Sequence, residues 1–298
     1  YENSDLSNVY FSTDEAGSNK LNSWLESGNS NTSTSTIYWI NLPNGIAANS
    51  SVTIYMQFAP LGTNVFNTTT TGEAPTLSST YAQYDNGANV FNNYWNFAGT
   101  SLPSGIVSNL NSPTVNNGLI FNTSPQGIAF DISLSPTGGI VESYYYYPSS
   151  SNLGTDTDYE VGFGYNGFGG YFYNFGYGTS NFGGSNNGLY ITNYASGNQG
   201  VTAGPIVIGT PTANVYYKNQ FYFGPNGELT SGWDNTYLSA TSTTYSLSQV
   251  TQVWIWKGGD ETVYITTNWL RTRAYPPNGT MPSPSVSIIP SLLATDYL

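Results

Sequence analysis

The chain has 298 residues and a mass of 32.2 kDa, enough for one large domain or two smaller ones. It carries only 5 Lys and Arg against 17 Asp and Glu, a net charge of −12, and contains neither His nor Cys. Those absences exclude a Ser-His-Asp relay, a thiol nucleophile, disulfides, zinc fingers and haem or iron–sulfur ligation within this chain, and scattered basic residues on an acidic background exclude a nucleic-acid footprint.

Charged residues make up 7% of the chain, against about 25% in ordinary soluble proteins. Its 26 Tyr, 14 Phe and 7 Trp sit among Asn, Ser, Thr and Gly, a composition that favours strands and turns over disorder. No stretch reaches the ~18 apolar residues of a membrane span, so no membrane insertion is expected. The chain starts at Tyr1 rather than Met and reads as a processed or trimmed product. Neutral amides and hydroxyls replace charges as solubilising groups, which leaves few ionisations to lose in acid and points to an acidic extracellular setting. Asn-Gly steps at Asn44, Asn86, Asn117, Asn166, Asn187, Asn226 and Asn278 would deamidate slowly there, although hairpin turns account for most of them. Sequons at Asn31, Asn49, Asn67, Asn122 and Asn278 mark candidate N-glycosylation sites of a secreted surface protein.

In chain order, 9–12 reads as a strand, and 21–26 as a short helix or an extended piece. A strand over 37–42 is closed by Pro43, Asn44 and Gly45. In 51–58, Val52, Ile54, Met56 and Phe58 alternate with polar partners, which predicts a half-buried strand. The run 67–72 reads as a loop or linker. From about residue 96, strands recur at 128–134, 140–147, 159–165, 189–194, 206–209, 215–224, 253–257, 262–267 and 269–275, the pattern of a two-sheet jelly roll. The Gly/Tyr/Phe-rich 162–188 reads as two strands and a long turn, or as an exposed aromatic platform. Beyond a Pro-rich hinge at 276–284, the apolar 285–294 reads either as an edge strand folded back on its own chain, which Pro290 suits, or as a strand that pairs with another molecule.

Several segments resemble a family of uncharacterised archaeal cell-surface proteins common in thermoacidophiles. The matching stretches are Ser23-Trp-Leu-Glu-Ser-Gly-Asn-Ser-Asn-Thr32, Ile37-Tyr-Trp-Ile-Asn-Leu-Pro43, Ile46-Ala-Ala-Asn-Ser-Ser-Val-Thr-Ile-Tyr-Met56, Gly72-Glu-Ala-Pro75, Tyr84-Asp-Asn-Gly-Ala-Asn-Val-Phe91, Phe97-Ala-Gly-Thr-Ser-Leu102 and Arg273-Ala-Tyr-Pro-Pro-Asn-Gly279. The resemblance implies a small domain of unknown function followed by a concanavalin-like lectin/glucanase sandwich. It also implies that a β-rich stretch precedes Tyr1 in relatives, which would leave an open sheet edge here for a neighbour's C-terminal strand to fill.

Three functions follow as candidates. The glucanase likeness directs attention to Asp156, Asp158 and Glu160, which share one side of an extended chain; the family's motif opens with Glu where Asp156 stands, and a solvated acidic turn is the plainer reading. A lectin-like role would use Trp233, Trp254 and Trp256; the last two lie on one strand face, which is either concave and ligand-facing or core. Asp85, Asp234 and Asp260 sit in Gly/Asn-rich turns, but no calcium-loop spacing is present, so no metal and no cofactor is assigned. The third role is structural, and it absorbs the low charge, the aromatic surface and the tail. The sequence therefore predicts an all-β protein: a small immunoglobulin-like sandwich over 1–85, a concanavalin-like jelly roll over 86–280 and a tail strand over 281–298. Its expected function is non-enzymatic, as a building or attachment element on the outside of an archaeal cell or virion. Its expected partners are itself, a neighbouring surface protein or glycans, with Val286, Ile288, Ile289, Leu292 and Leu293 at the subunit interface.

Overall fold

A computed structural model describes residues 1–149, 157–165, 172–178, 188–195, 198–242, 246–259, 262–276 and 280–288. The N-terminal part pairs β1 (Val9–Ser12) with β4 (Tyr55–Phe58). A second sheet in the order β3-β2-β5 is built from β2 (Ser23–Ser27), β3 (Ile37–Ile40) and β5 (Thr71–Glu73). Leu6, Val9, Phe11, Leu21, Leu25 and Phe66 fill the space between the two sheets. Three local expectations are resolved or changed here. The 21–26 segment is strand, because Trp24 and Leu25 point into different apolar clusters on opposite faces. The end of the supposed linker at 67–72 enters β5, parallel to β2; a Cβ on Gly72 would stand 2.3 Å from the Tyr84 carbonyl oxygen.

The third concerns β4. Phe58 pairs with Val9 and Met56 with Phe11, so these side chains do share the face that β1 buries. Yet Val52, Met56 and Phe58 are 46%, 53% and 41% exposed, while Val9 and Phe11 are buried. The alternation is as expected, but this face is only partly covered among the described residues: Ile54 packs on the core cluster and the Tyr1 ring lies 6.3 Å from Phe58.

After the four-residue helix α1 (Gly87–Val90) the chain enters a larger two-sheet sandwich. Its strands are β6 (Asn93–Trp95), β7 (Ile106–Leu110), β8 (Thr114–Val115), β9 (Leu119–Phe121), β10 (Gln126–Asp131), β11 (Gly139–Tyr146), β12 (Thr157–Gly164), β13 (Phe172–Gly178), β14 (Gly188–Ala195), β15 (Asn198–Val207), β16 (Tyr216–Phe223), β17 (Glu228–Trp233), β18 (Thr236–Thr241), β19 (Gln252–Gly259) and β20 (Ile265–Ala274). The seven-stranded sheet runs β15-β14-β13-β12-β19-β10-β7. The eight-stranded one runs β18-β17-β16-β11-β20-β9-β8, with β6 also on β20. All pairings in both sheets are antiparallel, as a jelly roll requires. The two strands expected at 262–267 and 269–275 join into one, β20, with Asn268 skipped in the register as a bulge. Ile128, Phe130, Val141, Val161, Phe163, Phe221, Val253 and Ile255 form the core between the sheets. Tyr145 and Tyr159 stack within it at 4.0 Å, and the Tyr159 hydroxyl lies 2.7 Å from Thr267 Oγ1, which satisfies its polar tip.

The small sandwich packs on the outer face of the eight-stranded sheet through an ionic cluster. The bulge in β20 is followed by Trp269, Arg271 and Arg273 on that face. Arg271 is fully buried; its Nε donates to Glu142 at 2.6 Å and its Nη2 to Glu26 of β2 at 2.6 Å. Arg273 donates to both oxygens of Glu142 at 3.1 Å, and Lys218 reaches Glu26 at 3.0 Å. The Arg271 guanidinium sits over Trp24, Trp39, Phe91 and Trp269 with centroid distances of 5.3, 4.6, 4.3 and 4.5 Å. Burial pushes the Glu142 and Glu26 carboxyls up, but Arg271, aided by Arg273 and Lys218, more than offsets it and holds both below the ordinary carboxylate range. Beside this cluster, buried Asp85 accepts from Trp24 Nε1, Tyr94 Oη, Asn96 Nδ2 and the Gly87 amide at 2.8–3.0 Å. Asp85 is thus spent on joining the two units.

Candidate functional site

The glycan-binding expectation turns on which way Trp254 and Trp256 face. In β19, Val253 and Ile255 enter the core, so Trp254 and Trp256 project from the opposite side of the seven-stranded sheet, where they cluster with Ala129. They are therefore not core residues between the sheets. Backbone register then places their neighbours. One row across the sheet reads Gly127, Trp256, Glu160, Gly176, Tyr190; the next contains Ala129, Trp254 and Gly162. Asp158 pairs with Gly258 one step further along the same face.

This overturns the reading of Asp158 and Glu160 as a solvated acidic turn. Both lie inside β12, and they are 4% and 0% exposed. Asp156 lies outside the described residues. The row has an evident physical logic. Glu160 stands between two aromatic side chains, with a glycine on each outer gap: Gly127 beyond Trp256, and Gly176 between Glu160 and Tyr190. At about 4.8 Å per strand, Trp256 and Tyr190 are roughly 14 Å apart across the sheet. The Trp256 indole N–H is buried and meets no acceptor among the described residues. Burial, and the Asp158 charge next to it, push the Tyr190 hydroxyl up, which ties Asp158 to the same patch. Glu160 and Tyr190 are 0% and 1% exposed and Trp256 is partly exposed, so in this row the Trp256 ring is the face open to a ligand, and it is backed by a buried carboxylate.

Trp233 is not brought to this patch. It lies on β17 of the other sheet, packed against the core, stacked on Tyr217 at 4.6 Å and donating through Nε1 to the Tyr145 hydroxyl at 3.0 Å. Of the aromatic run at 162–188, β13 and the ends of β12 and β14 are described, which matches strands within a sheet; the segments 166–171 and 179–187 lie outside the described residues. Of the turn aspartates, Asp85 is fully hydrogen-bonded, Asp234 occupies the β17–β18 turn, and Asp260 lies outside the described residues. Among the described residues no group of three or more acidic side chains converges on a metal-sized site.

Among the sequons, Asn31, Asn49 and Asn122 are exposed and Asn278 is outside the described residues. Asn67 is half-buried: its Nδ2 donates to the Val65 carbonyl, and its Oδ1 accepts from the Thr69 amide, the Thr69 hydroxyl and the Thr70 amide. In the tail, Val286 and Ile288 are 93% and 91% exposed with no strand partner among the described residues, while Ile289, Leu292 and Leu293 lie outside them.

A virus supplies the similar sequence. Uncharacterized protein 562 of Sulfolobus islandicus rod-shaped virus 1 is 40% identical over 151 residues. The match spans 51% of this chain and 23% of that protein, so the matched half of the chain covers about a quarter of its relative's length. No family model matches the chain. Solved structures with a similar strand arrangement include the CBM2 module of the evolved Dit of Lactobacillus casei BL23 phage J-1 (TM-score 0.43, 10% identity, 61% of this chain and 94% of that one). A putative β-glucanase from Mycobacterium abscessus (0.41, 12%, 61% and 99%) and the Emp46p carbohydrate recognition domain (0.40, 10%, 58% and 84%) are others. No helix among the described residues is long and apolar enough to cross a membrane.

Proposed function

We propose that the protein is a non-enzymatic, extracellular structural and attachment protein of an archaeal virion or cell surface, and that it binds glycans on the outer face of its seven-stranded sheet. The observation that carries the glycan reading is the row Gly127, Trp256, Glu160, Gly176, Tyr190, in which an acid and two aromatics share one face away from the core. Sequence similarity to a protein of an archaeal virus supports the setting. Assembly through strand pairing is supported by two features that complement each other. Among the described residues β4 pairs with β1 alone, and Met56 and Phe58 on it and Val52 just before it are about half exposed, while the tail presents Val286 and Ile288, two residues apart, to solvent.

The test is a glycan array with wild type, Trp256→Ala and Glu160→Gln. Wild type should bind a defined glycan set, and each variant should lose at least tenfold in affinity. Absence of wild-type binding to every glycan would defeat the reading. Glucan hydrolysis is the second reading, favoured by Asp158 and Glu160 standing two apart on a strand facing the same way. It requires release of reducing sugar from β-glucan that Glu160→Gln abolishes; the non-enzymatic reading requires none.

A further inference from the structure

The opposite side of the molecule holds a cavity of about 420 Å³, where the small sandwich meets the outer face of the eight-stranded sheet. Neither unit makes it alone. Trp39 of β3 supplies one wall, and the sheet supplies the rest. Across the sheet, Gln220, Gly232 and Tyr237 stand in one row. A Cβ on Gly232 would lie 2.8 Å from the Tyr237 ring, so the ring lies across the glycine, and it is 48% exposed. That is an aromatic face laid open beside a floor of polar groups.

The polar groups are positioned and only partly used. Gln220 is 4% exposed and lines the cavity; its carbonyl oxygen accepts from the Tyr222 hydroxyl at 2.6 Å, and its amide nitrogen donates to no group among the described residues. Asp234, in the two-residue turn after β17, accepts through Oδ1 from the Lys218 amide at 2.8 Å and keeps Oδ2 open. Arg273 is held by Glu142 and lies over the Trp39 ring at 4.9 Å, and its Nη1 lies 3.7 Å from the Met281 thioether, a weak acceptor. Carboxylate, amide and guanidinium thus present alternating acceptors and donors around one aromatic face.

The charge decides the ligand class. Lys218, Arg271 and Arg273 are matched one for one by Glu26, Glu142 and Asp234, and the first two carboxylates hold all three cations. No positive charge is left over to select a phosphate, sulfate or carboxylate. We propose that this cavity is a second sugar subsite, for one neutral pyranose unit stacked on Tyr237, with Asp234 Oδ2, Gln220 Nε2 and Arg273 Nη1 taking its hydroxyls. The proposal rests on the glycan-binding reading above but uses none of the residues of the seven-stranded sheet.

The test uses the full chain with methyl α-mannoside, methyl β-glucoside, methyl β-galactoside and glucuronate as probes, read by saturation-transfer NMR and isothermal titration. A neutral methyl glycoside should bind wild type and Trp256→Ala alike, and Tyr237→Ala and Asp234→Asn should each weaken it at least tenfold at unchanged Tm. The exposure of Tyr237 makes its variant safe for folding; Asp234→Asn, isosteric, is the second arm. No binding of any neutral probe, binding of glucuronate alone, or loss of binding in Trp256→Ala would each overturn the proposal. That last outcome would leave the sheet-face reading standing, because the binding would then belong to the seven-stranded sheet.

Discussion

Replacing Arg271 by Met tests the ionic cluster that joins the two units. The side chain is fully buried, contacts Glu142 and Glu26 at 2.6 Å each, and lies among four aromatic rings that would accommodate a thioether. The variant leaves Glu142 to Arg273 and Glu26 to Lys218, both still buried. Removing one partner of a buried ion pair costs about 3–5 kcal/mol. At roughly 2.1 cal/mol/K per residue, a chain of this length unfolds with an entropy of about 0.6 kcal/mol/K, so the melting temperature at pH 7 should fall by about 5–8 °C. The pH dependence supplies the sharper check. In wild type the folded-state pKa values of Glu26 and Glu142 lie below their unfolded values. Their stabilisation is therefore present above about pH 4.3 and lost only as pH falls through the lower, folded values. In the variant the same carboxylates lose their main counter-charge while burial still raises them, so they take up protons earlier and acid relieves the uncompensated charge. The deficit between variant and wild type, measured by circular-dichroism melts, should shrink between pH 7 and pH 3. A deficit below about 2 °C at pH 7, or one that stays constant down to pH 3, would refute this account.

Other expectations follow from the same geometry. Leu25→Ala, at a fully buried position, should cost about 2–5 kcal/mol, whereas Met56→Lys, on the partly covered face of β4, should stay within about 0.5 kcal/mol; urea titration distinguishes them. Deleting residues 285–298 should leave the melting temperature within about 1 °C, since Val286 and Ile288 touch little of their own chain, while sedimentation should show self-association lost. A large drop in melting temperature would instead place the tail on its own body. In a host that glycosylates, peptide mass spectrometry should find Asn49 occupied and Asn67 bare, because the Asn67 amide is fully committed to its own turn.

Much of the fold was legible because strands announce themselves by period two. The alternation in 128–134 put Ile128, Phe130 and Ile132 on one face, as found, and the spacing in 253–257 placed Trp254 and Trp256 together. It could not say which side faced the other sheet; that is decided by Val253 and Ile255 packing inward, a matter of which sheet covers which. The same limit explains β4, where the pattern was right and the covering layer is partial among the described residues. Asp158 and Glu160 were misread as a solvated turn because charge at the start of a strand suggests exposure, whereas β12 begins at Thr157 and buries both. The aromatic box around Arg271 was the larger omission, since its partner Glu26 is 245 residues away in sequence. One signal was available. A strand that carries Arg271 and Arg273 just after Trp269 and Leu270, in a chain with 5 basic residues, must bury a charge and therefore needs a partner.

The Arg271 box also bears on how such proteins can be recombined. A front unit exchanged for another would strand Arg271 and Trp269 unless the incoming piece brought equivalents of Glu26, Trp24 and Trp39 with it. The two halves are therefore a matched pair rather than interchangeable cassettes, and any shuffling between relatives must carry that set across together or lose the joint.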